Sequence, residues 1–199
     1  MSTWLVFLDT LDDKNQISVK KVGNLIKVPQ VYQPNGYSCG LAALQSVLAY
    51  YGKEFRFDEL EEDIKPDPEV GAEENRMVKF ARAYGLKADF HNDVSIKALW
   101  TLLDEGIPVI VTIQAWPKKK KNLEKSWDEG HYIVAIGYDN ENVYFMDSSV
   151  LGHYTFIPIK EFENRWRNLE NDKKLIHPAI VITSKNSKIY DPDIIKRTK

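Results

Sequence analysis

The distribution of apolar residues divides the chain into a helical first part and a strand-rich second part. Between residues 41 and 51 apolar side chains recur at helical spacing, and Gly52 follows as a suitable C-cap. Because this stretch is apolar on nearly every side, we expect its helix to be buried in the core. Three further helices are predicted at residues 57–64, 73–84 and 96–105, the last with Ser95 as its N-cap.

From residue 108 onward the apolar runs are short and rich in β-branched residues, which is typical of strands. Residues 139–142 (Asp-Asn-Glu-Asn) are typical of a hairpin turn between two of them. The predicted strands are 4–8, 25–28, 86–90, 108–115, 131–138, 143–147, 154–157 and 179–183, with a short helix at 161–166. Helices followed by a mostly antiparallel sheet predict an α+β fold.

A length of 199 residues fits one domain with a full core. We expect an N-terminal extension at residues 1–27 with room for extra strands, a main domain at 28–184 and a polar tail at 185–199. Hydrophobic residues make up 43% and charged residues 28% of the chain, which argues against disorder.

Charge and hydropathy exclude other classes of function. A net charge of −2 gives no broad positive field for nucleic acid, and we interpret the four lysines at 118–121 as a solvated loop. No apolar run is long enough to cross a bilayer, and the N-terminus lacks the basic region of a secretory signal. We therefore expect a cytoplasmic protein without a membrane span. The sequence does not predict an oligomeric state.

Cys39 is the only cysteine of the chain, so it cannot form an internal disulfide. It lies where a glycine-bearing loop enters the first predicted helix. The unpaired N–H groups and positive dipole end of a helix start favour the thiolate over the thiol. This position suits a nucleophile, although a cysteine considered alone is more often a small core residue.

A nucleophilic thiolate needs a base, a group that orients the base, and donors for the oxyanion. His131 opens one predicted strand and Asp147 ends the next, so the hairpin brings both toward one end of the sheet. Pairing Tyr138 with Val143 across the turn leaves His131 and Asp147 about three residues out of register. Gln33, just upstream of Cys39, can supply an amide donor.

Each of these residues also has a structural interpretation. His131 could be a surface or capping residue, Asp147 a turn residue and Gln33 a loop amide. The other histidines are scattered without metal-ligand spacing, and there is no phosphate loop or dinucleotide fingerprint, so we expect neither metal nor cofactor. The joint occurrence of nucleophile, base, orienting group and donor favours catalysis.

In three ordered blocks the chain resembles the bacteriocin-leader (double-glycine) cysteine peptidase family of the papain clan. In the first block, Gln33 precedes Cys39-Gly40 and an Ala/Leu-rich helix that ends Tyr-Tyr-Gly. The other two, at residues 127–138 and 143–147, are similar to the histidine and aspartate blocks of stand-alone members that are not part of transporters. Residues 157–166 also fit this subgroup, and the resemblance covers roughly residues 28–183.

The resemblance implies a papain-like fold in which the nucleophile helix packs on the sheet. It implies Cys39 as nucleophile, His131 as base, Asp147 as orienting group and Gln33 as oxyanion donor. The implied activity is that of a thiol peptidase, which hydrolyses an amide bond of a peptide or protein substrate through a thioester intermediate.

The chain departs from the family pattern at Ser38, where leader-processing members usually carry aspartate, and at Ser148, where proline often follows the aspartate. The first departure bears on leader-peptide cleavage more than on catalysis. We assign Trp127 and Ser38 as candidates for substrate contact. Two alternatives stay open: a non-catalytic peptide-binding module, and an acyl transferase that passes the same thioester to an amine.

Overall fold

The computed structural model describes residues 25–116, 127, 129–170, 172–185, 190–195 and 197. The predicted strand at 4–8 and the lysine run at 118–121 lie outside these residues. The helices are α1 (Cys39–Tyr50), α2 (Phe57–Ile64), α3 (Glu74–Ala83), α4 (Ile96–Asp104) and α5 (Ile159–Arg165). The strands are β1 (Lys87–His91), β2 (Val109–Gln114), β3 (Gly130–Tyr138), β4 (Asn142–Met146), β5 (Tyr154–Pro158), β6 (Arg167–Glu170), β7 (Lys173–Ile176) and β8 (Ala179–Thr183).

Helix α1 is buried along almost its whole length, as its apolar sequence predicts. It ends in a Schellman motif: Gly52 adopts φ 73°, its N–H donates to the carbonyl of Ala49, and the N–H of Lys53 donates to that of Leu48. The last carbonyls of the helix are therefore satisfied inside the core. A substitution at Gly52 would force a side chain into the left-handed region.

Six of the strands form one antiparallel sheet in the order β1-β8-β2-β3-β4-β5. One face carries the core that includes α1, α2 and α3, with alternate β3 residues such as Val134. The other face packs α4 and α5 against the intervening residues, such as Ile133. The period of two along a strand explains why β3 is buried on both sides.

Strands β3 and β4 form the predicted hairpin. Tyr138 pairs with Val143, and the turn is closed by Asp139, whose Oδ1 accepts from the N–H groups of Glu141 and Asn142 at 2.8 Å each. A β-bulge then shifts the register, because Ala135 pairs with Phe145 but Gly137 with Tyr144. Ile136 is thus the extra residue, and its carbonyl accepts from the N–H of Ile26 at 2.8 Å.

Two parts of the secondary structure differ from the prediction. Residues 25–28 do not form a strand, because both backbone groups of Val28 bond to the Tyr154 hydroxyl and only Ile26 reaches β3. The two-stranded sheet β6–β7 was not predicted. Its sequence is charged and only partly buried, so it lacks the apolar alternation that marks a strand.

Part of the predicted C-terminal tail contacts the main domain. Tyr190 lies in the predicted polar tail, yet its ring packs partly on the core and its N–H donates to the carbonyl of Tyr50 at 3.3 Å. The domain limits at 28 and 184 stay a prediction. None of the described helices combines the length and apolar character that a membrane span requires.

Candidate active site

Cys39 is the first residue of α1 and is only 7% exposed. The following residue must be small: a Cβ on Gly40 would lie 3.0 Å from the Cβ of Ala72 and 3.1 Å from the Tyr132 ring. This close approach seats the start of the helix against β3. The first N–H groups of α1 have no acceptor within the helix, so the thiol lies where positive potential is greatest.

His131 and Asp147 are joined by a hydrogen bond of 2.8 Å between Nε2 and Oδ1. The bulge at Ile136 explains how they meet. Val134 pairs with Met146, so Asp147 follows on the side of Ile133, two residues from His131 on the same face of β3. Without the extra residue, Asp147 would oppose Val134 and point to the other face. The turn was predicted correctly. From the sequence, His131 and Asp147 were about three residues out of register, and the bulge removes one residue of this difference.

The His131 side chain is 1% exposed and that of Asp147 18%. Oδ1 of Asp147 also accepts from the N–H and the hydroxyl of Ser149, at 2.9 and 2.8 Å. Burial would raise the pKa of Asp147, but the His131 hydrogen bond and charge and the Ser149 donors outweigh it and lower that pKa. Asp147 therefore stays ionised and holds Nε2 of His131 in its protonated state.

Burial would raise the pKa of the Cys39 thiol, but the hydrogen bond and charge of His131 and the backbone of Tyr132 and Gly40 lower it below its ordinary value. Burial alone would lower the pKa of His131. Asp147 and Cys39 together raise that pKa to about 9. The two opposite shifts favour a thiolate–imidazolium pair at neutral pH.

Nδ1 of His131 is buried and has no hydrogen-bond partner at standard geometry among the described residues. Its contact with the Cys39 thiol is therefore looser than a standard hydrogen bond, as is common for a nucleophile and its base before a substrate binds. Since Nε2 is held by Asp147, Nδ1 is the nitrogen left for the sulfur.

Gln33 lies in the loop that precedes Cys39 and is held in place by three hydrogen bonds. Its Nε2 donates to the carbonyl of Asn35 at 2.8 Å, its N–H donates to the carbonyl of Ser148 at 3.0 Å, and its Oε1 accepts from the Ser148 hydroxyl at 2.8 Å. The bond to Ser148 fixes which way the amide points, with its N–H groups away from Ser148. One of the two Nε2 protons is used by Asn35.

A cleft of about 900 Å³ opens beside these groups and is lined by Cys39, Gln33 and Trp127. Trp116 also lines it, 54% exposed, with its ring centroid 4.5 Å from that of His131. Trp116 adopts φ 40°, an uncommon conformation for a residue with a side chain, so the fold holds this indole over the imidazole at some strain. Such a cover limits the access of water to His131.

The two residues expected to contact substrate lie in different places. Trp127 is on the cleft wall, where the charged ends of Arg167 and Lys174 lie 4.9 and 5.1 Å from its ring centroid. Ser38 is fully buried, and its hydroxyl donates to the carbonyl of Asn35 at 3.2 Å. Ser38 is therefore placed to hold the loop below the cleft, and Trp127 is the candidate that faces a substrate.

Sequence reasoning did not identify Trp116, and gave Ser148 and Ser149 no role. Trp116 follows the end of β2, and no local pattern relates it to a histidine on another strand. The serines directly follow Asp147, which is a signal for side-chain hydrogen bonding at a turn. In the described parts of the chain, no group of three or more His, Cys, Asp or Glu side chains is arranged to hold a metal ion.

The chain is similar to known proteins both in sequence and in structure. The model of the Peptidase_C39 like family matches residues 25–174. A putative C39-like peptidase from Bacillus anthracis is similar at 22% identity, over 82% of this chain and 97% of that chain, with a TM-score of 0.62. No curated protein sequence matches the chain.

Two peptidase domains of transporters are similar as well. That of Streptococcus ComA, a bifunctional ABC transporter involved in a quorum-sensing pathway, has 22% identity over 80% of this chain and 99% of that chain, with a TM-score of 0.60. A double-glycine-motif protease from an AMS/PCAT transporter, solved with its leader peptide, has 21% identity over 82% and 96%, with a TM-score of 0.56. The predicted α+β, papain-like peptidase fold is confirmed.

Proposed function

This chain belongs to the Peptidase_C39 like family, and on that premise we propose that it is a cysteine peptidase with Cys39 as its nucleophile. The observation that carries the proposal is the coupling of three side chains from distant parts of the chain. His131 bonds Asp147 at 2.8 Å and lowers the pKa of the Cys39 thiol, while its own pKa rises to about 9. Groups with pKa values displaced in this way are the usual parts of a thiol nucleophile.

In the first half of the reaction the Cys39 thiolate adds to the carbonyl carbon of the scissile amide. The negative charge moves to the carbonyl oxygen, where the free N–H of the Gln33 side chain and the N–H of Cys39 would stabilise it. His131 gives its Nδ1 proton to the amine nitrogen, the C–N bond breaks, and a thioester remains on Cys39. Asp147 keeps the imidazole in the tautomer that this transfer needs.

In the second half His131 takes a proton from water, and the resulting hydroxide attacks the thioester. The C–S bond breaks, the carboxylic acid product leaves and loses its proton to solvent, and the thiolate–imidazolium pair is restored. A peptide is the proposed substrate because one similar structure was solved with a leader peptide in place. We propose Trp127 as a contact for that peptide, and the cytoplasm stays the predicted location.

Replacing Cys39 tests the assignment. Cys39→Ala should abolish hydrolysis of any peptide that the wild type cleaves from a diverse library, with no loss of thermal stability. Ser46→Ala, a buried change on the same helix, is the matched control and should keep full turnover. Full residual activity of Cys39→Ala would refute the proposal.

Alkylation gives an independent measurement. At pH 6 iodoacetamide should modify Cys39 much faster than a free thiol, because its pKa is lowered. Slow labelling would identify a buried structural cysteine. If labelling is fast but no peptide is cleaved, amine acceptors are added. An acyl transferase would then form conjugates between the peptide and the amine. A peptide-binding module would form neither conjugates nor an acyl-enzyme.

A further inference from the structure

The cleft that contains Cys39 is strongly acidic, although the whole chain carries a net charge of only −2. Two basic side chains line it, and six acidic ones, Asp67, Glu69, Glu73, Glu74, Glu129 and Glu170. Of the two basic residues, Arg76 is already engaged: it contacts Glu73 at 3.2 Å and donates to the carbonyls of Ile64 and Lys65. A cleft with this excess concentrates cations.

Glu74 is the most unusual member of this set. It is 2% exposed and lines the cleft, yet neither of its carboxylate oxygens has a hydrogen-bond partner at standard geometry among the described residues. Burying a carboxyl group without a hydrogen-bond donor is strongly unfavourable. A ligand that brings a donor to Glu74 would offset this cost. The N-terminus of α3, where Glu74 lies, offsets only part of this.

Two neighbouring side chains reach Glu74, and neither donates to it at standard hydrogen-bond geometry. Tyr132 on β3 interacts with it, but the one O–H proton of Tyr132 goes to the carbonyl of Ala72 at 3.1 Å. The other neighbour is Glu170 on β6, which also lines the cleft. Two carboxyl groups thus lie close together in the lining of the cleft.

We propose that Glu74 and Glu170 form a recognition site for a basic side chain, lysine or arginine, of the peptide that enters the cleft beside Cys39. The inference rests on the proposed peptidase function and names its substrate class. An ammonium or guanidinium group supplies the donors that the Glu74 carboxylate lacks, and the planar guanidinium fork can bridge Glu74 and Glu170.

The pair lies close to the nucleophile. The Tyr132 backbone contacts Cys39, and the same tyrosine's ring lies against Gly40 and reaches Glu74. One side chain therefore separates the thiol from the carboxyl pair. Since an extended peptide advances about 3.3–3.6 Å per residue, the basic residue should fall within about three residues of the scissile bond.

In the free protein the pair holds a proton in place of the cation. The side-chain contact with Glu74, which is looser than a standard hydrogen bond, is the main cause that raises the pKa of Glu170 to about 8. Burial and the charges of Glu74 and Glu73 add to it, and the charge of Lys173 opposes it. A bound cation would release that proton. The KM for a basic peptide should therefore fall as pH rises from 6 to 8.5, and the KM for a neutral peptide should not.

Matched peptides test the proposal. The starting point is a library peptide that the enzyme cleaves. Each of the three positions on either side of its scissile bond is replaced in turn by lysine or by acetyl-lysine. Acetyl-lysine keeps the shape of lysine but removes its charge. At one position we expect at least about a tenfold preference in kcat/KM for lysine. Each of two single variants, Glu74→Gln and Glu170→Gln, should reduce this preference below threefold by raising KM for the lysine peptide only. Glu170 is the less buried of the two residues.

Glu69→Gln is the matched control, because it removes the same charge from an exposed position of the same cleft and should keep the preference. Equal cleavage of lysine and acetyl-lysine peptides at every position would overturn the proposal, as would a preference that survives both substitutions. Thermal stabilisation of the wild type by Ca²⁺ or Zn²⁺, lost in Glu74→Gln and without any peptide preference, would instead identify a metal site.

Failure of the peptidase function is distinguished by binding. If no peptide is cleaved, fluorescence anisotropy of labelled lysine and acetyl-lysine peptides on Cys39→Ala measures recognition alone. If the lysine peptide binds more tightly than the acetyl-lysine peptide, and Glu74→Gln abolishes this difference, the recognition site is supported although the peptidase function is rejected. Equal binding of both peptides would overturn the site.

Discussion

Asp147 and Glu170 are carboxyl groups of one protein near one cleft, and their electrostatic surroundings are opposite. Asp147 meets an imidazole and two donors from Ser149, and its pKa is lowered. Glu170 meets another carboxyl group, and its pKa is raised to about 8. Burial disfavours the charge at both sites, so the difference comes from the partners. Asp147 already has His131 as its cationic partner, which suits the catalytic role that we propose for it. Glu170 has no such partner in the part of the chain that the structure describes, which suits the binding of a cation from a substrate.

The largest expected effect comes from removing the charge of Asp147. Asp147→Asn should lower kcat/KM on the order of 10²- to 10⁴-fold, because the amide neither fixes the tautomer nor supports the imidazolium. In the wild type the protonated, working form of His131 is lost as pH rises through about 9. Without the carboxylate that raises this pKa, the alkaline limb of the pH–rate profile should move to lower pH.

The comparison for this variant is Ser149→Ala, which removes one donor from Asp147 and keeps the bond to His131. We expect a loss of only a few-fold with an unmoved alkaline limb. An Asp147→Asn enzyme within threefold of wild type, with an unchanged profile, would show that the carboxylate does not orient the base.

A smaller effect is expected at Ser148, whose hydroxyl donates to Oε1 of Gln33 at 2.8 Å. Ser148→Ala frees the amide to rotate away from the oxyanion, so kcat should fall about 2- to 10-fold with KM nearly unchanged. The rate at which iodoacetamide labels Cys39 should not change. The control Ser46→Ala loses a similar buried bond, to the carbonyl of Pro29, and should lower stability without lowering kcat. A change in labelling rate would mean that Ser148 acts on the thiol and not on Gln33.

The smallest effect concerns stability at the acidic pair. The folded state holds a proton on Glu170 up to about pH 8, whereas the unfolded chain releases it near pH 4.5. Stability is therefore lost as pH rises between these values. Glu74→Gln removes the like charge, so its Tm should exceed that of the wild type by roughly 1–2 °C at pH 8 and by less at pH 5. Glu69→Gln should show no such pH dependence, and an equal Tm difference at both pH values would contradict the pairing of Glu74 with Glu170.

Local sequence patterns determined most of the elements. The apolar spacing of α1 and the glycine after it, the Ser95 cap of α4 and the Asp139 turn all act within a few residues, and each is found where it was predicted. The hairpin β6–β7 was missed because its charged and only partly buried strands lack the apolar alternation that predicts a strand. Glu170 lies on this hairpin, so the acidic pair could not be predicted either.

The sequence by itself determined the kinds of chemical groups present and the order of the helices and strands that carry them. What only the tertiary structure decided is which side chains meet. A single extra residue at Ile136 moves Asp147 to the face of β3 that carries His131, and the fold brings Glu74 of α3 close to Glu170 of β6. Side chains alternate faces along a strand, so one inserted residue changes every later contact, and no local pattern encodes that insertion.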